Sequence, residues 1–90
     1  MSVLVEMRVR VPDVDRFVAT SKKFTPLFEE AGARNPRVFQ SESDPSEMNQ
    51  LAEWDSHDQM HASTEKYGDR FNAEAGTEGL TWETRVWHGP

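Results

Sequence analysis

The chain has 90 residues, 10 basic and 16 acidic, for a formal net charge of −6, and it contains no cysteine. A chain of this length makes one domain, residues 1–90, and buries only roughly 60% of its unfolded surface, so pairing with a second copy is favourable. Interspersed negative charge argues against nucleic acid or an anionic membrane as partner; the missing thiols exclude disulfides and thiolate chemistry, and no apolar run suits a spanning helix or signal peptide, which reads as a cytoplasmic protein.

The first run, Val3 to Val11, alternates. Val3, Val5, Met7, Val9 and Val11 fall on one side and Leu4, Glu6, Arg8 and Arg10 on the other, the pattern of a strand with one dry face. A helix follows from Asp13, a good N-cap, with Val14, Phe17, Val18, Phe24, Leu27, Phe28 and Ala31 at helical spacing and a stop at Gly32. Pro26 interrupts it. Proline removes a backbone donor and clashes with the preceding turn, which predicts two pieces, Thr25 capping a short second helix that starts at Pro26.

Paired strands are expected over Arg37 to Glu42 and Asn49 to Trp54, joined by the polar stretch Ser41 to Asn49. The second helix starts at Ser56, where Ser56 and Gln59 have capping-box spacing, carries the stripe Met60, Thr64, Tyr67 and Phe71, and ends before Gly76. Gly76 to Gly79 turns into the last strand, Thr81 to His88, with Trp82, Thr84 and Val86 opposite Glu83, Arg85 and Trp87.

Strand, helix, strand, strand, helix, strand is the order of an α+β, ferredoxin-like β-α-β-β-α-β fold with a four-stranded antiparallel sheet. Right-handed crossovers place both helices on one face of that sheet. The other face carries Glu6, Arg8, Arg10, Glu83, Arg85, Trp87 and Phe39 with no helix left to cover it.

The segment Glu53, Trp54, Asp55, Ser56, followed by a short amphipathic helix with a His in its first turns and aromatics after it, resembles the dimeric α+β barrel superfamily, most closely its antibiotic biosynthesis monooxygenase-like branch. The resemblance implies a homodimer joined through the uncovered sheet faces and a pocket in each subunit for an apolar or aromatic small molecule. It implies cofactor-independent monooxygenation of a phenolic or polyketide-like substrate; a cyclase or isomerase, or a non-catalytic ligand-binding protein, uses the same scaffold.

The expected pocket residues follow from both arguments. Alternation places Trp54 on the helix side with Met7, Trp82 and Val86. In the monooxygenase branch a Trp and an Asn near this place hold and polarise the substrate, and Asn49 is the candidate Asn. The branch often carries a His on the second helix facing the cavity, which falls on His61, or on Ser63 if the spacing is counted differently; His61 and Tyr67 are the candidate acid and base.

Cofactor and metal sites are not expected. His57, His61 and Glu65 share a helix face, but this is better read as a solvated polar face than as a metal site. The haem-degrading relatives need an Asn on the first strand and a His late on the second helix, where this chain has Met7 and no helical His after His61. Ser21, Ser56 and Ser63 lie in no nucleophile elbow, and no Gly-rich phosphate loop is present.

Overall fold

A computed structural model describes residues 2–90. The elements are β1 (Val3–Arg10), α1 (Val14–Glu30), β2 (Arg34–Gln40), β3 (Glu47–Trp54), α2 (His57–Ala75) and β4 (Glu83–His88). They form one four-stranded sheet in the order β2-β3-β1-β4, every neighbour antiparallel. This is the ferredoxin-like arrangement that the element order implies.

β1 lies between β3 and β4, and its register sets the two faces. Val3, Val5 and Val9 are buried under the helices, whereas Leu4, Glu6 and Arg8 pair across with Trp87, Arg85 and Glu83 on the other side. No helix covers that second face among the described residues, and Phe39 and Trp87 there are each 53% exposed. β3 runs longer than its pattern suggests because it pairs with all of β1, from Val3 opposite Trp54 to Arg10 opposite Glu47. β4 starts two residues later than expected, at Glu83, where the pairing with Arg8 begins.

The edge strand β2 starts earlier than expected, at Arg34. Its register with β3 shifts between Arg34 and Arg37, and Asn35 there has φ 51°. That irregularity accommodates Pro36, which has no N–H to give to a ladder. The loop to β3 is pinned by Asp44, which accepts from the Ser46 N–H and hydroxyl and pairs with Arg10. The Ser46 hydroxyl and N–H, then Arg10, hold its carboxyl below the ordinary value.

α1 begins as its sequence predicts, with the Asp13 carboxylate accepting from the Arg16 N–H at 3.0 Å. It does not break at Pro26. A single helix runs through to Glu30, correcting the expectation of two pieces. Packing overrides the lost hydrogen bond: Phe24 precedes the proline and Phe28 follows it, and Phe28 stacks on Phe24, Tyr67 and Phe71 at centroid distances of 5.9, 6.2 and 6.0 Å. A break would withdraw one of these rings. The Thr25 hydroxyl, rather than capping a new helix, donates back to the Ser21 carbonyl at 2.8 Å.

α2 is capped at both ends. Ser56 Oγ accepts from the Gln59 N–H, while Gln59 Oε1 accepts from the Asp55 N–H, one residue earlier than in a true capping box. Gly76 closes the helix at φ 73°. The buried stripe is Met60, Ser63, Tyr67, Phe71 and Ala75, so Ser63 takes the place expected of Thr64, which is exposed. The two helices are tied together at one end of their contact and approach closely near the other. Arg16 of α1 donates to the carbonyls of Ala73 and Glu74, and Lys23 pairs with Glu74. At the opposite end Gly32, at φ 114°, lies so close to Gln59 that a Cβ would come 2.3 Å from its Nε2.

The core divides into two clusters. One gathers Phe17, Phe24, Met48, Tyr67 and Phe71 with Val9 and Val11; the other gathers Val3, Val5, Ala33, Trp54 and Met60. Phe28 and Ala31 touch both. No helix among the described residues is long and apolar enough to cross a membrane.

Because Pro26 sits inside a continuous helix, Pro26→Ala should stabilise the protein. Regaining the backbone bond and relieving the clash outweighs the extra freedom of the unfolded chain, for a net gain of about 1–2 kcal/mol in urea unfolding. A neutral or negative change would instead place Pro26 at the start of a separate helix.

Candidate functional site

A cavity of about 520 Å³, partly open to solvent, lies between the helix-side face of the sheet and the two helices. Its floor comes from alternate strand residues. Val5 and Met7 of β1 face Ala52 and Gln50 of β3 in register, and Trp54 continues the row beyond Ala52. Its roof is Phe28 of α1 with Met60, Ser63, Gly68 and Phe71 of α2, and Trp82 contributes from the approach to β4. Small side chains where the two core clusters would otherwise meet, Ala52, Ser63 and Gly68 among them, leave the space unfilled.

The polar groups are few. The Gln50 amide donates to the Ser21 hydroxyl at 3.3 Å, and Ser63 is buried in the wall. An amide anchored by one N–H keeps its second N–H and its carbonyl for a ligand. Among the described residues, Lys22 and Arg37 are the ionisable ones in the lining, which includes no His, Asp, Glu or Tyr. Alternation with Val38 turns the Arg37 side chain to the other face, where its Nη1 donates to the Asn35 carbonyl. Lys22 is exposed and stands at the rim.

Three of the expected residues, Met7, Trp54 and Trp82, line the cavity. Trp54 is 6% exposed and packs with Val3, Val5 and Met60. Asn49 does not line it. It stands opposite Arg8 on the uncovered face, and its amide donates to Glu6 at 3.2 Å. The reason is parity: in a strand, residues an odd number apart point to opposite faces, so a partner for Trp54 must be even-numbered. Gln50 holds that position, and the alternation that placed Trp54 would have identified it.

His61 also lies outside the cavity. It is exposed on the outer face of α2, its ring 4.4 Å from that of His57. One residue past Met60, it is rotated about 100° away from the buried stripe. Tyr67 is buried, but within the aromatic cluster: it meets Phe28 edge-on at 6.2 Å and is not part of the lining. The structure therefore does not bring His61 and Tyr67 together with Trp54. Ser63, the other position considered for the branch's His, does line the cavity. Among the described residues, no group of three or more His, Asp or Glu is arranged to hold a metal ion.

No protein-family model and no curated protein sequence matches the chain. Solved structures do match. An antibiotic biosynthesis monooxygenase candidate from Bordetella bronchiseptica superposes with a TM-score of 0.81 at 16% identity, covering 99% of this chain and 97% of that one. SnoaB, a cofactor-independent oxygenase from Streptomyces nogalater, gives 0.77 at 17% identity, covering 99% and 93%. A de novo designed protein, Foldit4, gives 0.72 at 14% identity over the whole of both chains. At such identities the likeness is one of fold, and the chain has the ferredoxin-like α+β fold found in these monooxygenase-like proteins.

Proposed function

We propose that the protein binds a flat, apolar aromatic molecule in this cavity and oxygenates it without a cofactor. The observation that carries the reading is the cavity itself. Its volume of about 520 Å³ falls within the range of small-molecule sites, and its lining is apolar and aromatic with a few convergent polar groups. The fold likeness to SnoaB, a cofactor-independent oxygenase, supports the choice of reaction.

An anthrone-type substrate can carry this chemistry alone. Its acidic methylene loses a proton to give an enolate, which is electron-rich enough to reduce oxygen. Both C–H bonds of that carbon break and a C=O bond forms; one oxygen atom enters the substrate, the other leaves as water, and the substrate supplies all four electrons. The protein's part is to favour the anion and exclude water. The free N–H of Gln50 donates to the enolate oxygen, the Lys22 charge at the rim favours the same anion, and the Trp54 and Trp82 indoles pack on the rings. The proton leaves to solvent through the open side.

Binding without turnover is the second reading. It is favoured by the lining, which among the described residues holds no His, Asp, Glu or Tyr and offers as base only Lys22 at the exposed rim. A cyclase or isomerase that relied on His61 and Tyr67 fits less well, because neither lines the cavity.

The proposal extends to the assembly: two copies joined through the uncovered sheet face. That face exposes Phe39 and Trp87, and it buries Arg8 Nε and Asn49 Oδ1 without hydrogen-bond partners. Apolar surface in water and unsatisfied polar atoms both favour a partner surface.

Oxygen consumption with anthrone, without added flavin, haem or metal, tests the reaction. Gln50→Ala should slow protein-dependent uptake by about a hundredfold, the usual cost of losing one oxyanion donor, whereas His61→Ala should leave it unchanged. Quenching of tryptophan fluorescence by anthrone with no oxygen uptake would support binding alone. Light scattering after gel filtration tests the assembly: the expected mass is that of two chains, and Arg8→Glu, which sets like charge opposite Glu83 on that face, should shift it toward one. A wild-type mass of a single chain would remove the dimer.

A further inference from the structure

We infer that Gly68 sets how wide a ligand the cavity accepts, a reading that rests on the cavity being the ligand site. Gly68 stands in the interior of α2. Glycine there is the least favourable residue after proline, because it surrenders the most backbone freedom. Such a glycine is retained for a backbone angle, for a close approach by a neighbour, or for space.

The backbone angle does not require it. Gly32, Gly76 and Gly79 have positive φ, and Gly68 does not. Close approach does not require it either. A Cβ built on Gly68 would meet a single atom within 4 Å, Cγ2 of Thr64 one turn earlier, at 3.4 Å, and nothing from α1 or the sheet. Helix packing is thus excluded as the reason, in contrast to Gly32, whose Cβ would collide with Gln59.

Space remains, and the space is the cavity. Thr64, Gly68 and Asn72 follow one another at four-residue spacing and all three line it, so they form one ridge with a notch at its centre. A flat ring edge can rest against a bare Cα there. The ligand class this favours is an extended fused-ring aromatic, whose far edge reaches the notch, over a smaller bicyclic one that does not need it.

The test compares wild type, Gly68→Ala and Gly68→Leu by thermal unfolding and by tryptophan quenching with naphthalen-1-ol and anthrone, under nitrogen so that no turnover intervenes. Gly68→Ala should raise the melting temperature, by on the order of 4 °C. It should also weaken anthrone binding by roughly tenfold, as expected for one misplaced methyl in an apolar pocket, while affecting naphthalen-1-ol less. Gly68→Leu should abolish anthrone binding, and the Ala variant decides the matter if Leu fails to fold. A more stable Gly68→Ala that binds anthrone like wild type would overturn the inference, and so would a lower melting temperature, which would make Gly68 structural. If wild type binds neither probe, the cavity is not the ligand site, and that more basic reading fails along with this one.

Discussion

The pairing of β1 between β3 and β4 is the constraint from which the other features follow. A strand with a partner on each side cannot slip by one residue without moving Val3, Val5 and Val9 to the wrong face, so both neighbouring registers are fixed by the same apolar row. Through those registers β1 decides that Trp54 and Gln50 face the helices and that Glu6, Arg8 and Arg85 do not. The cavity floor and the uncovered charged face are therefore two products of a single alternation.

Much of this is legible in the sequence. Period-two patterns at both ends of the chain and two capped amphipathic helices are enough to state the element order, and Met7, Trp54 and Trp82 follow from them. The expected residues that lie outside the cavity do so for reasons of geometry. Asn49 has the opposite parity to Trp54 in β3, and His61 lies one residue past the buried stripe of α2. Pro26 departs from expectation for another reason. Local propensity speaks for the isolated chain, whereas the rings of Phe24 and Phe28 hold the helix together only after α2 is in place.

Part of the cavity's lining can be read from the chain, but its volume cannot. It is a shortage of side-chain volume distributed over β3 and α2, at positions such as Ala52 and Ser63 that are unremarkable one by one. Only when the sheet and helices are brought together do these small residues coincide and separate the core into two clusters. A designed protein reaches the same fold, so the fold alone does not demand an activity, and the argument for function rests on this unfilled volume.

The contacts at the two ends of the helix pair bear on how a ligand arrives. Arg16 and Lys23 fasten α1 to the end of α2, and at the other end Gly32 lies against the Gln59 side chain, with the cavity-lining stretches of both helices between. The cavity between them is open to solvent on one side without any movement of the helices. Access then depends on rotation of side chains at the open rim, such as Lys22 and Thr64, which takes place in picoseconds to nanoseconds rather than on the microsecond-to-millisecond scale of domain motion. Entry by that route rests on diffusion and on desolvation of the ligand.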